Sequence, residues 1–158
     1  MTAMLKEMLG IRDGILENLH DDHQEVSALI DKILAAKSHD RRAELFKEMK
    51  AKLLAHAEAE GKVLYRKLEK SADEEVRSFA LKGGVEHEVV ERELDQLSRG
   101  RAKNSDAWTA RMTVLRELIK HHVQEEEITG FANARREFGS EELEKLGEQF
   151  RQEKEKLL

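Results

Sequence analysis

Apolar residues recur along the chain at spacings of three and four, the period of an amphipathic helix, in four long stripes. The first is Leu16, Leu19, Val26, Ile30, Ile33 and Leu34. The second is Leu45, Met49, Leu53, Val63, Leu64 and Leu68, with Ser38 placed to cap its start. The third is expected to begin at Ser71, where Ser71 and Glu74 have capping-box spacing, and it carries Phe79, Val90, Leu94 and Leu97. Residues 98–105 break the pattern before a fourth stripe of Trp108, Met112, Leu115, Leu118 and Ile119. Gly130 and Gly139 then loosen the chain, and Ser140 is expected to cap a short fifth helix over about 140–157, with Leu143, Leu146, Phe150 and Leu157 on one side. Long helices joined by short connections favour antiparallel neighbours, so the pattern predicts an all-α fold: an up-down-up-down four-helix bundle with a short C-terminal fifth helix, in one domain over residues 1–158. The fifth helix reads as cover for one bundle face, with a dimer contact left open, and the expected state is a monomer or weak dimer.

Composition supports helices and narrows the chemistry. Of 158 residues, 39% are charged, only 4% are aromatic and none is proline, as suits long solvated helices. No apolar run approaches the roughly 18 to 20 residues of a membrane span, and the start, MTAMLKEMLGIRDG, is poor in apolar residues for a secretory leader. A soluble, cytoplasmic protein without a membrane partner is expected. With no cysteine, disulfides, iron–sulfur clusters, thiolate zinc sites and cysteine nucleophiles are excluded, so any metal must use nitrogen and oxygen ligands. The net charge of -5 and the dispersion of lysine and arginine among acidic residues make nucleic acid an unexpected partner.

The informative residues interrupt the stripes, because an ionisable group on a core face costs several kcal/mol unless paired or metal-bound. His23 lies one heptad from both Leu16 and Ile30; His56 and Glu60 continue the stripe from Leu53; His87 precedes Val90 and Leu94; His122 and Glu126 extend Leu115 and Ile119. Each of the four long helices thus presents an inward histidine, and two add a carboxylate one turn later.

The arrangement repeats. Asp22-His23 with Val26, Ile30 and Asp31 matches Glu86-His87 with Val90, Leu94 and Asp95, and His56-x-x-x-Glu60 with Tyr65 matches His122-x-x-x-Glu126 with Phe131. Two similar helical hairpins facing one another would bring four imidazoles and two carboxylates together, a set suited to two divalent metals. His122 sits about a turn and a half deeper in its helix than His87, an offset assigned to the 98–105 segment.

This series resembles the hemerythrin-like HHE cation-binding family, through Asp22-His23, His56-x-x-x-Glu60, Glu86-His87 and His122-x-x-x-Glu126, over roughly residues 16–131. The resemblance implies a metal-binding core holding two iron ions as an oxo- or hydroxo-bridged di-iron centre. His23 and His56 would serve one iron, His87 and His122 the other, and Glu60 and Glu126 would bridge. It further implies small-molecule partners (dioxygen, peroxide or nitric oxide) and oxygen or redox sensing or peroxide decomposition; whether there is turnover stays open. Oxygen-carrying members place two histidines four apart on the third helix, whereas here Gly83 precedes His87 by four and Glu91 follows it by four. Either Glu91 is an additional ligand or a position is open to water, and an anionic ligand disfavours reversible oxygen carriage. Manganese or zinc would suit the same ligands.

Asp22 and Glu86 are expected as partners of the imidazole N–H groups or as solvated residues, and His20, about 60° off the His23 face by the helical repeat, either beside the cluster or at the surface. His39 and His121 are expected at the surface, and Tyr65, nine residues past His56, on the opposite side of its helix as a packing residue. Gly61, Gly83 and Gly84 are candidates for leaving room beside the metals. Alternatives are a helical interaction module without metal, a bundle that handles iron without oxygen chemistry, and a ferritin-like oxidase. The last typically has two E-x-x-H motifs, where this chain has one, Glu17 to His20.

Overall fold

The computed structural model describes residues 2–158. Its helices are α1 (Ala3–Met8), α2 (Ile15–Ala35), α3 (His39–Glu60), α4 (Glu74–Arg99), α5 (Asp106–Glu125) and α6 (Ser140–Leu157). Two of them do not stop where their α-helical pattern does. α3 runs on through a π-helical turn, Gly61–Tyr65, into Arg66–Leu68, and α5 runs on through a second, Glu126–Gly130, into Phe131–Glu137.

Cross-helix pairs fix the topology. Glu25 meets Lys52 and Asp22 meets His56, so α3 runs antiparallel to α2. Lys50 bonds Ser98 and His87 meets Glu60, which sets α4 antiparallel to α3; Glu86 with His122 and Glu93 with Arg111 do the same for α5 on α4. His20 with Glu127 and Asp31 with Arg116 close the ring. α2 to α5 thus form the expected up-down-up-down bundle, and α6 packs across α2 and α3. Among the described residues no helix is long and apolar enough to cross a membrane.

The core is split in two. One apolar layer includes Ile15, Leu16, Leu19, Leu64, Leu68, Phe131, Leu143, Leu146 and Phe150; the other includes Ile30, Ile33, Phe46, Met49, Leu94, Leu97, Trp108 and Met112. The inward polar residues lie between them. Gly14 begins α2 with φ of 51°, in the left-handed region, and a Cβ there would lie 2.2 Å from the Leu143 carbonyl oxygen, so glycine lets α6 approach the start of α2.

Some expectations are corrected. Ser38 caps α3 by accepting from Arg41 N, but α4 is capped by Asp73, which accepts from Glu75 N; Ser71 instead accepts from Asp73 N and donates to Glu137. Ser140 is the first residue of α6 rather than its cap, and its hydroxyl turns to Asp13. Leu118 is exposed because Leu115 and Ile119 hold the inward face and Leu118 lies about 100° round from Ile119. Leu157, in the last turn of α6, is exposed as well.

The far end of the bundle is closed by two buried cations, Arg42 and Lys103, that have no carboxylate partner among the described residues. Arg42 donates to the carbonyls of Leu34 and Ala36, where α2 ends, to Lys103 O and to the Thr109 hydroxyl. Lys103 donates to the carbonyls of Leu97, Ser98 and Gly100, where α4 ends. Both satisfy carbonyls that a helix C-terminus leaves unpaired and meet the negative end of its dipole. His39, expected at the surface, is half-buried here and accepts from Lys103 N. Arg42→Ala should destabilise the chain by about 2–4 kcal/mol in urea denaturation, because buried acceptors lose their donor; a loss under about 0.5 kcal/mol would show that water replaces the side chain.

Candidate metal centre

One helical turn places His56 over Glu60 and His122 over Glu126, while His23 on α2 and His87 on α4 face them across the bundle. Among the described residues, ligand atoms converge inside the bundle in two groups, each within 4.8 Å: His23, His56, Glu60 and Glu126, all buried, in one, and Glu60, His122 and the half-buried His87 in the other. Glu60 belongs to both. The His23 and His56 rings are 5.1 Å apart and the His87 and His122 rings 4.9 Å apart, so the offset in depth between His87 and His122 is absorbed between α4 and α5.

The cluster is unsatisfied by protein alone. Among the described residues, five buried side-chain polar atoms make no hydrogen bond, and four belong here: His23 Nε2, both oxygens of Glu60, and Glu126 Oε1. His23 Nε2 and Glu126 Oε1 are 3.1 Å apart without bonding, and Glu60 Oε1 lies 3.0 Å from His87 Nε2. Buried groups left unpaired cost about 1–3 kcal/mol each. Lone pairs of nitrogen and oxygen converging in a water-poor space fit a cation, and the donor set suits a divalent transition metal.

Outward-facing atoms hold the rings in place. His56 Nδ1 contacts Asp22 Oδ2 at 2.8 Å and His23 Nδ1 contacts Glu127 Oε2 at 2.7 Å; Glu127 also takes His20 Nδ1 at 2.8 Å, and His122 Nδ1 lies 3.2 Å from Glu86 Oε1. Asp22 and Glu86 thus each meet a ligand-side imidazole, whereas His20 meets Glu127 and none of the four inward imidazoles. Residue spacing turns only Glu126 inward and gives Glu127 no role, yet Glu127 binds two histidines of α2. Glu91 is exposed and in neither converging group. His121 is exposed.

Tyr65 corrects the sequence reading most. It is buried, donates from its hydroxyl to Glu126, comes within 3.4 Å of His122 Nε2 and stacks on His87 at 5.2 Å and 24°. The cause is the π turn over Gly61–Tyr65. A wider turn stacks residues five apart instead of four, so Tyr65 falls on the face of Glu60 rather than opposite His56. Gly83 makes room for this ring and not for a small ligand: a Cβ there would lie 2.8 Å from the Tyr65 ring. Gly61 and Gly84 face open space.

Beside the imidazoles lies a cavity of about 30 Å³, walled by Val26, Leu53, Val90, Leu94 and Ile119, with Glu91 at its edge. One water needs about 10–15 Å³, so the cavity admits a molecule of two or three heavy atoms.

Electrostatics in the metal-free chain follow from this crowding. Burial opposes a charged His23, but the close carboxylate of Glu126 and the bond from its Nδ1 to Glu127 prevail and raise its pKa to about 10. His122 rises to about 9, its burial outweighed by Glu86 and Glu126. Burial and the charge of Glu126 push Glu60 up to about 8, whereas burial is outweighed at Glu126 by His23, which holds that carboxyl well below its usual range. Burial and His122 lower His87 to about 4.

An antiparallel helical bundle closed around converging imidazoles and carboxylates defines a bundle-type metal-binding protein. A family model described as "Hemerythrin HHE cation binding domain" matches residues 14–132, and the chain belongs to that family. It is 29% identical over 157 residues to a protein of Nostoc sp. (strain PCC 7120 / SAG 25.82 / UTEX 2576) described as "DNA nickase", covering 96% of this chain and 41% of that relative. The chain therefore spans less than half the length of that curated relative. No solved structure shows a significant match.

Raised groups must lose protons to bind metal. At neutral pH His23, His122 and Glu60 are mainly protonated, so metal uptake should release about three protons per chain. Affinity should accordingly fall as pH is lowered from 9 to 6. In the metal-free chain the stabilisation from these raised groups is present at low pH and lost as pH rises through about 8 to 10, so its Tm should drop between pH 7 and 10. Calorimetry in buffers of different ionisation enthalpy and thermal melts check both; uptake without proton release would contradict the charge assignment. Gly83→Ala should cost about 1–3 kcal/mol despite the better helix propensity of alanine, because the Tyr65 ring must move; a stabilised variant would refute the close packing.

Proposed function

We propose that the chain is a non-haem di-iron protein whose centre binds or reacts with dioxygen or peroxide, serving oxygen or redox sensing or peroxide decomposition. The observation that carries the reading is the set of unpaired, buried ligand atoms converging beside a cavity sized for a two- or three-atom molecule. His23 and His56 would hold one ion, His87 and His122 the other, with Glu60 and Glu126 between them. Iron is favoured by the family resemblance; the donors alone also suit manganese or zinc. Bound there, iron would supply one-electron chemistry toward dioxygen or peroxide.

The protein's own part is orientation and exclusion. Asp22, Glu86 and Glu127 fix the imidazole rings so that Nε2 faces inward. Tyr65, whose burial and nearby Glu126 raise its pKa well above the phenol value, keeps its proton and donates it in a hydrogen bond to Glu126. The walls of Val26, Leu53, Val90, Leu94 and Ile119 keep bulk water away. The name of the Nostoc relative suggests strand cleavage, but a duplex backbone does not enter a cavity of about 30 Å³, which argues against nicking at this centre.

Protein purified without chelator, or reconstituted anaerobically with ferrous iron, should contain near two irons per chain and change its near-ultraviolet absorption on exposure to peroxide; peroxide consumption separates enzyme from sensor. His56→Ala and His122→Ala should each lose at least one ion. Full metal content in both variants would overturn the ligand assignment. Protein that takes up no metal would leave a helical interaction module.

A further inference from the structure

The two halves of the centre repeat in sequence but not in what surrounds them. In the first half both imidazoles are backed by carboxylates at short range, His23 by Glu127 at 2.7 Å and His56 by Asp22 at 2.8 Å. In the second, His122 meets Glu86 at 3.2 Å, and among the described residues His87 Nδ1 has no hydrogen-bond partner; that ring lies flat on Tyr65 instead.

The carboxylates differ too. Both oxygens of Asp22 are held by Lys154 Nζ, at 2.7 and 2.8 Å, whereas Lys82, the lysine nearest in register to Glu86, gives its hydrogen bonds to Glu125. Lys154 lies on α6, outside the family-matched residues 14–132. From the same helix Phe150 places its ring edge-on against His56 at 5.6 Å and 81°, and Lys154 lies 5.3 Å over the Phe150 ring. α6 therefore grips His56 from two sides, through a fixed carboxylate and through an aromatic wall.

We propose that Lys154 and Phe150 are positioning residues for His56, and that through Asp22 they make the His23/His56 half the tighter of two metal positions, filled before the His87/His122 half. The inference rests on the two-metal reading above. A carboxylate accepting the Nδ1 proton fixes the tautomer, leaves the Nε2 lone pair for the metal and makes the ring a better donor, and losing such a partner typically costs 10–100-fold in metal affinity. The first half has two such partners, one clamped by a lysine. The second has one, longer and unclamped.

The test is an anaerobic titration of the metal-free full chain with ferrous iron, and with cobalt(II) as a probe whose visible absorption reports ligand geometry. Two steps at least about tenfold apart are expected. His56→Ala should remove the tighter and His122→Ala the weaker. Lys154→Met should weaken the tighter step about tenfold, alter its cobalt spectrum and leave the weaker step in place, and Lys154→Arg should restore it. Lys154 is partly exposed, so folding should survive; circular dichroism checks this, and Asp22→Asn repeats the test with α6 untouched. Equal steps in the unmodified chain, or variants that move neither step or both alike, would overturn the inference while leaving two metals bound. Absence of any metal uptake would instead overturn the two-metal reading.

Discussion

The structure depends on the burial of two carboxylates and four imidazoles midway along a helical bundle. Glu60 and Glu126 are almost wholly removed from water, and burial together with each other's proximity drives their proton affinities apart. A core of this kind is stable only if charges and lone pairs find partners. Protein groups supply the outward half of the requirement, through Asp22, Glu86, Glu127 and Tyr65, and leave the inward half to a cation. The split of the apolar core into two layers is the same fact seen from the packing side.

The π turns connect local geometry to this chemistry. Each lies at the end of an H-x-x-x-E pair, Gly61–Tyr65 directly after Glu60 and Glu126–Gly130 starting at the glutamate itself, and each shifts the downstream face of its helix. On α3 the shift carries Tyr65 onto Glu126, against the space left by Gly83. The matching position after α5 is Phe131, which has no hydroxyl to donate, and both oxygens of Glu60 are without a hydrogen bond. A near twofold pattern in the chain thus becomes two chemically different halves.

α6 adds to that difference. Its apolar side covers α2 and α3 as a strut does, yet Lys154 and Phe150 reach the groups that orient His56. A cover helix and a positioning helix are the same element seen at two depths.

Much of this was legible from the chain alone. The helical period, the four-helix topology and the inward-facing series of His23, His56, Glu60, His87, His122 and Glu126 follow from residue spacing, because a regular helix maps sequence onto faces by simple rotation. The same arithmetic put Asp22 and Glu86 beside inward histidines and left His20 between the cluster and the surface. It failed where rotation departs from 100° per residue, as at Tyr65, and where caps depend on local backbone, as at Ser71 and Ser140. It could not see contacts between elements distant in sequence: Glu127 with His20 and His23, Lys154 with Asp22, Arg42 with the ends of other helices. Such contacts are set by how helices rotate and slide against one another, and only the packed tertiary structure decides that.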